Sequence, residues 1–494
     1  MVSPVYKGGF GATQIEAVAE DGGSVAYFSP GEFAEAPAGL SNNANGLDYL
    51  SRRGRSEWLA IPVMPPAQLT PFVNHHDISK TLSSTLALGK PGSTVEAASI
   101  EGAESKFLLH DTDTPDVDPN WEQVVMPLKT LTDRPTTFEY VGGSADFCHL
   151  LFINSEEGSK EQYQLLNQAI GVQQPLYELE RGCHGEPAEL RLVALNDQGK
   201  PISPSCKSEP GIYEYETVFA NAYGAISADG DEVFFTTCIK NDPSDYQLFV
   251  RLGGVKTLEI SRPVDPQLEA CGESQIPCPQ AAERPSAVFA GASEDGSKVF
   301  FTTTAPLVGE DKDAGNDLYM AEVGCPPGEV GCPVGSRRVT GLTLVSHNPN
   351  GGESGVQGVV RIAPDGSRVY FIATGDLLSE DEQGKLEGAG RAVPHVGADN
   401  LYVYDAAAAQ TSFVGDLCSG YETSGAVGDS RCPSKTGVDT RIWYGLGEHE
   451  VQTAGADGRF LVFASYAQLT ANDTDAAKDV YRYDAEPVRS SVSL

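Results

Sequence analysis

Apolar and polar positions alternate in short runs along the chain, and several of these runs follow a turn that contains Asp-Gly. With the Asp taken as position zero, position +4 is aliphatic and position +6 is aromatic in each clear copy. Glycine accepts the positive φ of a tight hairpin turn, and alternation with a period of two is typical of strands. The pattern therefore predicts hairpins at five turns: Asp21-Gly22, Asp229-Gly230, Asp295-Gly296, Asp365-Gly366 and Asp457-Gly458.

Two weaker copies of this pattern lie between the clear ones. Asp146 precedes an apolar run at 150–152, and a degraded copy near Ala103 precedes one at 107–109, which brings the copies to seven. A second motif, Leu or Val followed by an aromatic residue, predicts the third strand of a copy and recurs at 175–178, 247–250, 317–320, 400–404 and 479–482. In the sixth copy the four predicted strands are 358–363, 367–373, 400–404 and 411–416. Helical periodicity is scarce, and its best candidate is the short stretch 161–170.

A single four-stranded sheet cannot bury both of its faces, whereas stacking the copies around an axis buries them and protects the edges. We therefore predict an all-β fold: a single β-propeller of about seven, alternatively six, four-stranded blades with Cys/Gly/Pro-rich loop insertions. An array of immunoglobulin-like sandwiches does not readily explain the fixed spacing. Residues 1–13 are expected to be a leader segment or strand and 14–494 the propeller. The approximate blades are 14–64, 95–130, 136–200, 213–262, 286–346, 356–417 and 449–494.

The pattern Ser-x-Asp-Gly-x-x-Val-x-Phe, followed by a spacer and Asp-Leu-Tyr, resembles the TolB-like β-propeller repeat. The two copies that carry the resemblance best begin at Ser227 and Ser293, and the match is strongest from about Tyr213 onward. The resemblance implies an exported propeller that mediates protein contacts or accompanies an enzyme as a non-catalytic domain. Six blades are usual for this type, and the count of seven departs from that. The repeat indicates a fold, and a fold of this kind hosts many functions.

Charge changes the picture of possible partners. The chain has 69 acidic and 34 basic residues and a net charge of −35 at pH 7. Such a surface repels nucleic acid and anionic membranes, which bind clustered Lys and Arg, and it favours solubility and cation binding. No stretch approaches the ~20 apolar residues that span a bilayer, so we expect no membrane insertion. We also expect a monomer whose protein or glycan partner is not identified by the sequence.

The ten cysteines indicate an oxidising compartment. Three local pairs, Cys271/Cys278, Cys325/Cys332 and Cys418/Cys432, close loops with spacings too long for an ordinary zinc site and with no histidine suitably close. By proximity we pair Cys183 with Cys206, which leaves Cys148 for Cys238. We predict a secreted or cell-surface protein. Residues 1–11 show no signal peptide, so we expect the export signal to lie outside this chain or to be non-standard.

Familiar catalytic motifs are missing from the sequence, including the Gly-x-Ser-x-Gly elbow and the His-Glu-x-x-His zinc motif. We expect His75 and His76 to form an exposed loop pair. One acidic pattern predicts chemistry, because it occurs at the same offsets, +16, +18 and +22, in the fifth and seventh copies. The residues are Asp311, Asp313 and Asp317 in one copy and Asp473, Asp475 and Asp479 in the other.

Aspartates spaced as Asp-x-Asp-x-x-x-Asp before a strand resemble short calcium loops, since calcium accepts six to eight oxygen ligands at flexible angles. The alternative is a turn-forming role, in which each Asp accepts bonds from nearby backbone N–H groups. The sixth copy retains Asp381 at +16 and then Gln383, with a long insertion before Asp399. The acidic run at 111–118 has the same two interpretations.

Three functions remain open at the level of sequence. The first is a non-catalytic exported β-propeller that serves as a protein- or ligand-binding scaffold. The second is a propeller-type carbohydrate-active enzyme, which would use two channel carboxylates that no linear motif reveals. The third is a structural surface module in which calcium rigidifies the blades.

Overall fold

The structure of the chain is a computed structural model, which describes part of the chain. The described residues are 12, 14–19, 23–33, 46–64 without 56, 72–78, 84–90, 106–111, 122–123, 138–154, 164–210 without 184 and 186, 224–239, 245–264, 285–418, 439, and 451–485 without 471 and 476. For 14–18, 72–78, 84–90, 106–111, 122–123, 138–139, 154, 209–210 and 454 only the backbone is described.

The chain divides into two compact units. Unit 1 contains 1–195 together with 204–208 and 228–230, and unit 2 contains the remaining residues. Each unit is built from antiparallel sheets whose strands follow one another in chain order, as in a meander.

Three sheets of four strands make up the described strands of unit 1, apart from Ser208. Their strands pair antiparallel throughout. The first sheet consists of β1 (Gln14–Val18), β2 (Ser24–Ser29), β3 (Leu47–Arg53) and β4 (Trp58–Pro62). The second consists of β5 (Phe72–Ile78), β6 (Ser84–Lys90), β7 (Lys106–Asp111) and β8 (Glu122–Gln123). The third consists of β9 (Phe138–Gly143), β10 (His149–Asn154), β11 (Leu176–Glu180) and β12 (Glu189–Leu192).

Four further sheets account for the other described strands. The fourth sheet consists of β13 (Ser208–Pro210), β14 (Glu232–Cys238), β15 (Tyr246–Leu252) and β16 (Lys256–Glu259). The fifth consists of β17 (Val288–Ala292), β18 (Lys298–Thr303), β19 (Asp317–Gly324) and β20 (Arg338–Leu344). The sixth consists of β21 (Val356–Ile362), β22 (Arg368–Ala373), β23 (Asp399–Asp405) and β24 (Gln410–Leu417). The seventh has three described strands, β25 (Val451–Ala454), β26 (Phe460–Ser465) and β27 (Asp479–Asp484).

The predicted all-β fold class is confirmed for the described residues, with one short exception. The helix α1 (Glu380–Gly388) lies in the long connection of the sixth sheet and starts at a capping box formed by Ser379 and Glu382. In the stretch 161–170, which was the best candidate for helical periodicity, the described residues 164–170 contain a 3-10 turn at Asn167–Ala169.

Cross-strand aromatic pairs explain why the repeat needs an aromatic residue at position +6. In the fifth sheet Phe301 lies directly opposite Tyr319 in the register of β18 and β19, and their ring centroids are 5.7 Å apart. Paired aromatic rings on neighbouring strands stabilise a sheet beyond the area that they bury. The same pair recurs as Tyr27–Tyr49, Phe152–Tyr177, Phe235–Phe249, Phe371–Tyr402 and Phe463–Tyr481.

Consecutive sheets of unit 2 share their cores. Phe234 of the fourth sheet stacks on Phe289 of the fifth, with ring centroids 5.9 Å apart. Phe300 of the fifth sheet packs into a cluster with Phe371 of the sixth, and Val360 of the sixth packs with Leu461 of the seventh. Strands β14, β18 and β22 are buried along most of their length, as expected of sheets that are covered on both faces.

Two strand assignments made from the sequence need correction. The run at 107–109 belongs to β7, the third strand of a sheet that begins at Phe72, and not to a second strand of a blade that begins at residue 95. His75 and His76 lie within β5 and not in a loop. Both errors have one cause, because this sheet lacks an Asp-Gly turn that would fix its register.

Candidate functional site

Among the described residues, the turns at Asp295 and Asp146 are closed by their own polar side chains. Ser293 Oγ donates to Asp295 Oδ1 at 2.6 Å and accepts from the backbone N–H of Lys298 at 3.0 Å. The backbone N–H of Ser297 also donates to Asp295 Oδ1. Ser144 and Asp146 make the same two serine bonds in the third sheet. The Ser-x-Asp-Gly motif is therefore a hydrogen-bonded turn that starts the second strand of a sheet.

Successive turns of unit 2 are joined to each other through the backbone. The N–H of Glu294 donates to the carbonyl of Pro364 at 2.7 Å, and the N–H of Asp365 donates to the carbonyl of Ala456 at 3.2 Å. Arg368 adds a side-chain link by donating to the carbonyl of Asp457 at 2.8 Å. The turns of the fifth, sixth and seventh sheets thus form one continuous edge, called the turn row below.

The turn glycines make this close approach possible. Gly458 has φ +59°, and a Cβ placed on it would lie 2.7 Å from the Cβ of Ala363 in the preceding turn. Gly366 has φ +65°, and its Cβ would lie 2.9 Å from the Cβ of Ser293. The invariant Asp-Gly spacing therefore has two physical reasons, the positive φ and the contact with the neighbouring sheet.

Unit 1 contains one titratable pair beside such a turn. His149 is the first residue of β10, and its ring packs against Gly230, where an added Cβ would lie 2.2 Å from His149 Cδ2. His149 Nδ1 forms a hydrogen bond with Glu178 Oε1 at 2.8 Å. Glu178 is 2% exposed. Burial by itself would lower the pKa of His149, but the hydrogen bond and charge of Glu178, together with the charges of Glu180 and Asp146, raise the pKa above its usual value.

The first predicted aspartate set is brought together by the loop between β18 and β19. Asp311, Asp313 and Asp317 each offer a carboxylate oxygen, and these oxygens lie within 4.8 Å of one another. Tyr319 donates its hydroxyl to Asp311 Oδ2, while Asp313 Oδ1 accepts from the N–H of Gly315 at 2.7 Å. Asp311 Oδ1 is buried without a hydrogen-bond partner among the described residues. We call this set the fifth-sheet cluster.

Asp317 is the most enclosed member of the fifth-sheet cluster. It is 2% exposed and accepts from the hydroxyls of Ser346, at 2.6 Å, and Ser354. Burial, with a smaller contribution from the charges of Asp311 and Asp313, raises the pKa of Asp317 to about 6 against the opposing effect of the two serine hydrogen bonds. Three carboxylates in one small space therefore repel each other, and this cluster would be stabilised by a cation.

The second predicted set repeats the geometry between β26 and β27. The carboxylate oxygens of Asp473, Asp475 and Asp479 again lie within 4.8 Å of one another. Tyr481 donates to Asp473 Oδ2, and Asp475 Oδ1 accepts from the N–H of Ala477 at 2.8 Å. Asp473 Oδ1 is also buried without a hydrogen-bond partner in the described part of the chain. This set is called the seventh-sheet cluster, and Asp475 and Asp479 in it are exposed.

The sixth sheet uses its corresponding loop differently. Asp381 lies in the first turn of α1, and among the described residues neither Asp381 nor Asp399 belongs to a cluster of three acidic side chains. Tyr402 donates its hydroxyl to the carbonyl of Gly375 at 2.8 Å instead of to a carboxylate. In the sixth sheet the tyrosine hydroxyl therefore still holds the loop, but through a backbone carbonyl and not through an aspartate.

The role of these tyrosines was not foreseen from the sequence. Tyr49, Tyr177 and Tyr319 each accept a hydrogen bond from a backbone N–H in the loop that follows the second strand of their own sheet. Burial raises the pKa of Tyr319, and the Asp311 carboxylate raises it further. The third-strand motif could have indicated this role, because its aromatic residue is a tyrosine at the same position of the strand in several copies.

The cysteine predictions are partly corrected. The Cys325–Cys332 disulfide is confirmed. Cys148 pairs with Cys183, so the predicted Cys183–Cys206 pair is wrong, and with it the pairing of Cys148 with Cys238. The backbone N–H of Arg181 donates to the carbonyl of Cys148 at 2.8 Å, so the start of β10 lies beside the end of β11. Cys148 is therefore close to Cys183 in space, although Cys206 is closer to Cys183 in sequence. Cys206, Cys238 and Cys418 are also disulfide-bonded, whereas Cys271, Cys278 and Cys432 lie outside the described residues.

The acidic run at 111–118 also falls outside the described residues, apart from the backbone of Asp111. Within the described parts of the chain, no helix has the length and apolar character needed to cross a membrane.

Comparisons with known proteins find similarity in structure alone. No family model matches the chain, and no curated protein matches it in sequence. Among solved structures, the β-propeller domain of the trilobed protease from Pyrococcus furiosus aligns over 98% of both chains, with 11% identity and a TM-score of 0.37. TolB from Acinetobacter baumannii aligns over 80% of this chain and 63% of its own, with 10% identity and a TM-score of 0.30. The resemblance to TolB-like propellers that the repeat indicates is thus found among the structures as well.

Peptidases are also among the similar structures. Prolyl oligopeptidase B from Galerina marginata has 10% identity and a TM-score of 0.41, over 96% of this chain and 49% of that chain. A prolyl endopeptidase structure matches over 82% of this chain with 11% identity and a TM-score of 0.39. The chain spans 42% and 49% of the lengths of these two enzymes. All four TM-scores are below 0.5.

Proposed function

We propose that the chain is a non-catalytic, extracytoplasmic binding module in which the sheets are the blades of a single β-propeller. The observation that carries the proposal is the turn row, because backbone hydrogen bonds join consecutive turns directly. A surface that is fixed in this way loses little conformational freedom when a partner binds, which favours affinity. The disulfides support an exported protein.

The partner is proposed to be a basic segment of another protein that lies along the turn row. Asp295 and Asp365 are exposed at successive turns, and the whole chain carries a net charge of −35. Complementary charge at the rim of an interface mainly increases the rate of association and makes binding dependent on salt. The seven-blade ring, its loop insertions and the monomeric state are parts of the same proposal.

The test is a selection of displayed peptides on the purified chain, followed by affinity measurements on the variant Asp295→Asn/Asp365→Asn. Asparagine keeps the oxygen that closes each turn and removes the charge. We expect basic peptides to be selected and to lose about tenfold in affinity for the variant. The matched control is Glu380→Gln/Glu387→Gln, which removes two charges from the exposed helix α1 and should retain binding.

Equal losses in both variants would show non-specific attraction and overturn the assignment of the turn row. Selection of no peptide would count against a protein partner. The alternative of a carbohydrate-active enzyme is tested with the same preparation, since release of reducing ends from a panel of polysaccharides would contradict a non-catalytic module.

A further inference from the structure

We infer that the two aspartate clusters are calcium sites of unequal affinity, with the fifth-sheet cluster the tighter one. Both clusters lie in loops between the second and third strands of a sheet, and calcium binding there is independent of the proposed binding function. Two oxygens that bind one calcium ion at about 2.4 Å lie at most about 4.8 Å apart. The carboxylate oxygens of each cluster meet that limit.

The unsatisfied oxygen in each cluster points to a missing ligand. Asp311 is 7% exposed, and its Oδ1 is buried without a hydrogen-bond partner among the described residues, although its Oδ2 is held by Tyr319. A buried carboxylate oxygen without a partner costs free energy, which a cation in contact with it would recover. Asp473 Oδ1 is unsatisfied in the equivalent position of the seventh-sheet cluster. Two loops of different sequence therefore leave the equivalent oxygen, Oδ1 of the first aspartate, without a hydrogen bond among the described residues.

Nearby positive charge does not neutralise either cluster. Within the described part of the chain, no Lys, Arg or His forms an ion pair with the six aspartates. All ligands are oxygens, which suits calcium and does not suit zinc, whose sites contain nitrogen or sulfur. Calcium also tolerates the irregular angles that a loop provides better than magnesium does.

Burial separates the two clusters in affinity. Asp311 and Asp317 are buried, whereas Asp475 and Asp479 are exposed. The serine hydroxyls of Ser346 and Ser354 fix Asp317 before any ion binds. A rigid, water-poor site attracts a cation more strongly than an exposed one, where water screens the charges. The fifth-sheet cluster should therefore fill first.

The experiment is a calcium titration by calorimetry, together with terbium luminescence excited through tyrosine. Tyr319 and Tyr481 each bond to a cluster aspartate, so either site should sensitise a bound terbium ion. The wild-type chain should bind in two steps, with the first at least about tenfold tighter than the second. The two steps should also raise the melting temperature when calcium is added.

Two conservative variants separate the steps. Asp313→Asn should remove the tighter step, and Asp475→Asn should remove the weaker one. Asparagine preserves the turn in both, because each carboxylate accepts a backbone N–H through a single oxygen, from Gly315 and Ala477. The matched control is Asp381→Asn in the sixth sheet, which should retain both steps, since Asp381 lies in α1.

Several results would overturn the inference. They are the absence of saturable binding in the wild type, the persistence of both steps in Asp313→Asn/Asp475→Asn, and an equal loss in Asp381→Asn. If Asp475→Asn removed the tighter step, the order of affinities would be reversed and the argument from burial would be wrong. Circular dichroism of each variant distinguishes loss of a site from loss of the fold.

Discussion

At the scale of single residues, the tyrosine hydroxyls decide how the loops are held. Tyr319 connects the N–H of Leu307 with the carboxylate of Asp311, and its ring stacks on Phe301. The fourth sheet has phenylalanine, Phe249, at the corresponding position, so a ring without a hydroxyl fits this place in the sheet. The hydroxyl and the ring therefore have separable roles.

We predict that Tyr319→Phe lowers the free energy of unfolding by about 1–3 kcal/mol, because it leaves a buried carboxylate without its donor. Tyr481→Phe should cost less, since Asp473 is only partly buried. Urea denaturation in the presence of a chelator measures both. Equal costs, or no cost for Tyr319→Phe, would contradict the proposed anchor.

His149 makes stability depend on pH. Its pKa is raised in the folded chain from the ordinary value of 6.5, so the folded state holds the proton more tightly than the unfolded state. The resulting stabilisation is fully present below pH 6.5 and is lost as the pH rises through the folded pKa. Glu178→Gln should lower this pKa and flatten the dependence. Glu189→Gln is the control, because Glu189 bonds to Arg191, and NMR titration of the histidine checks both variants.

At the scale of elements, the turn glycines test the stacking of sheets. Gly458→Ala should lower the free energy of unfolding by about 1 kcal/mol because of the positive φ. The clash of the added Cβ with Ala363 should lower it by a further amount of about 1–3 kcal/mol. Gly390→Ala is the matched control, because Gly390 has φ +68° and nothing within 4 Å of its added Cβ. Thermal unfolding should separate the two variants. Equal losses would mean that the turn row is not tightly packed.

The elements that the sequence predicted are those with a local signal. An Asp-Gly turn, an aliphatic +4 and an aromatic +6 placed β14, β18, β22 and β26 correctly. The sheet of β5 to β8 was misread because it has no such turn, and α1 was missed because none of its residues is buried and so no apolar periodicity marks it. Ser379 and Glu382 were the remaining signal for that helix.

At the scale of the whole molecule, the repeat could be predicted from the sequence, but the contacts between residues far apart in the chain could not. The offsets of the six aspartates foretold two equivalent clusters, and the structure brings each set together. Their unequal burial, and the pairing of Cys148 with Cys183, depend on which loops and strand ends become neighbours. Such neighbours follow from the packing of sheets, which local patterns do not encode.

Net charge is a whole-molecule property with two opposite consequences for salt. With a charge of −35, the folded chain repels itself, and a basic partner is attracted to it. The Debye screening length falls from about 30 Å at 0.01 M salt to about 3 Å at 1 M salt, so added salt weakens both interactions. We therefore predict that sodium chloride raises the melting temperature of the chelated chain while it weakens the binding of selected basic peptides.

Differential scanning calorimetry and peptide titrations over the same salt series test the two signs together. A melting temperature that falls with salt would mean that ion pairs, such as Arg368 with Asp405 and Asp457, stabilise the chain by more than its self-repulsion destabilises it. Peptide affinity that does not change with salt would place the contact on apolar surface and away from the turn row. Opposite responses of stability and binding would show that the acidic surface serves a partner at a cost to the fold.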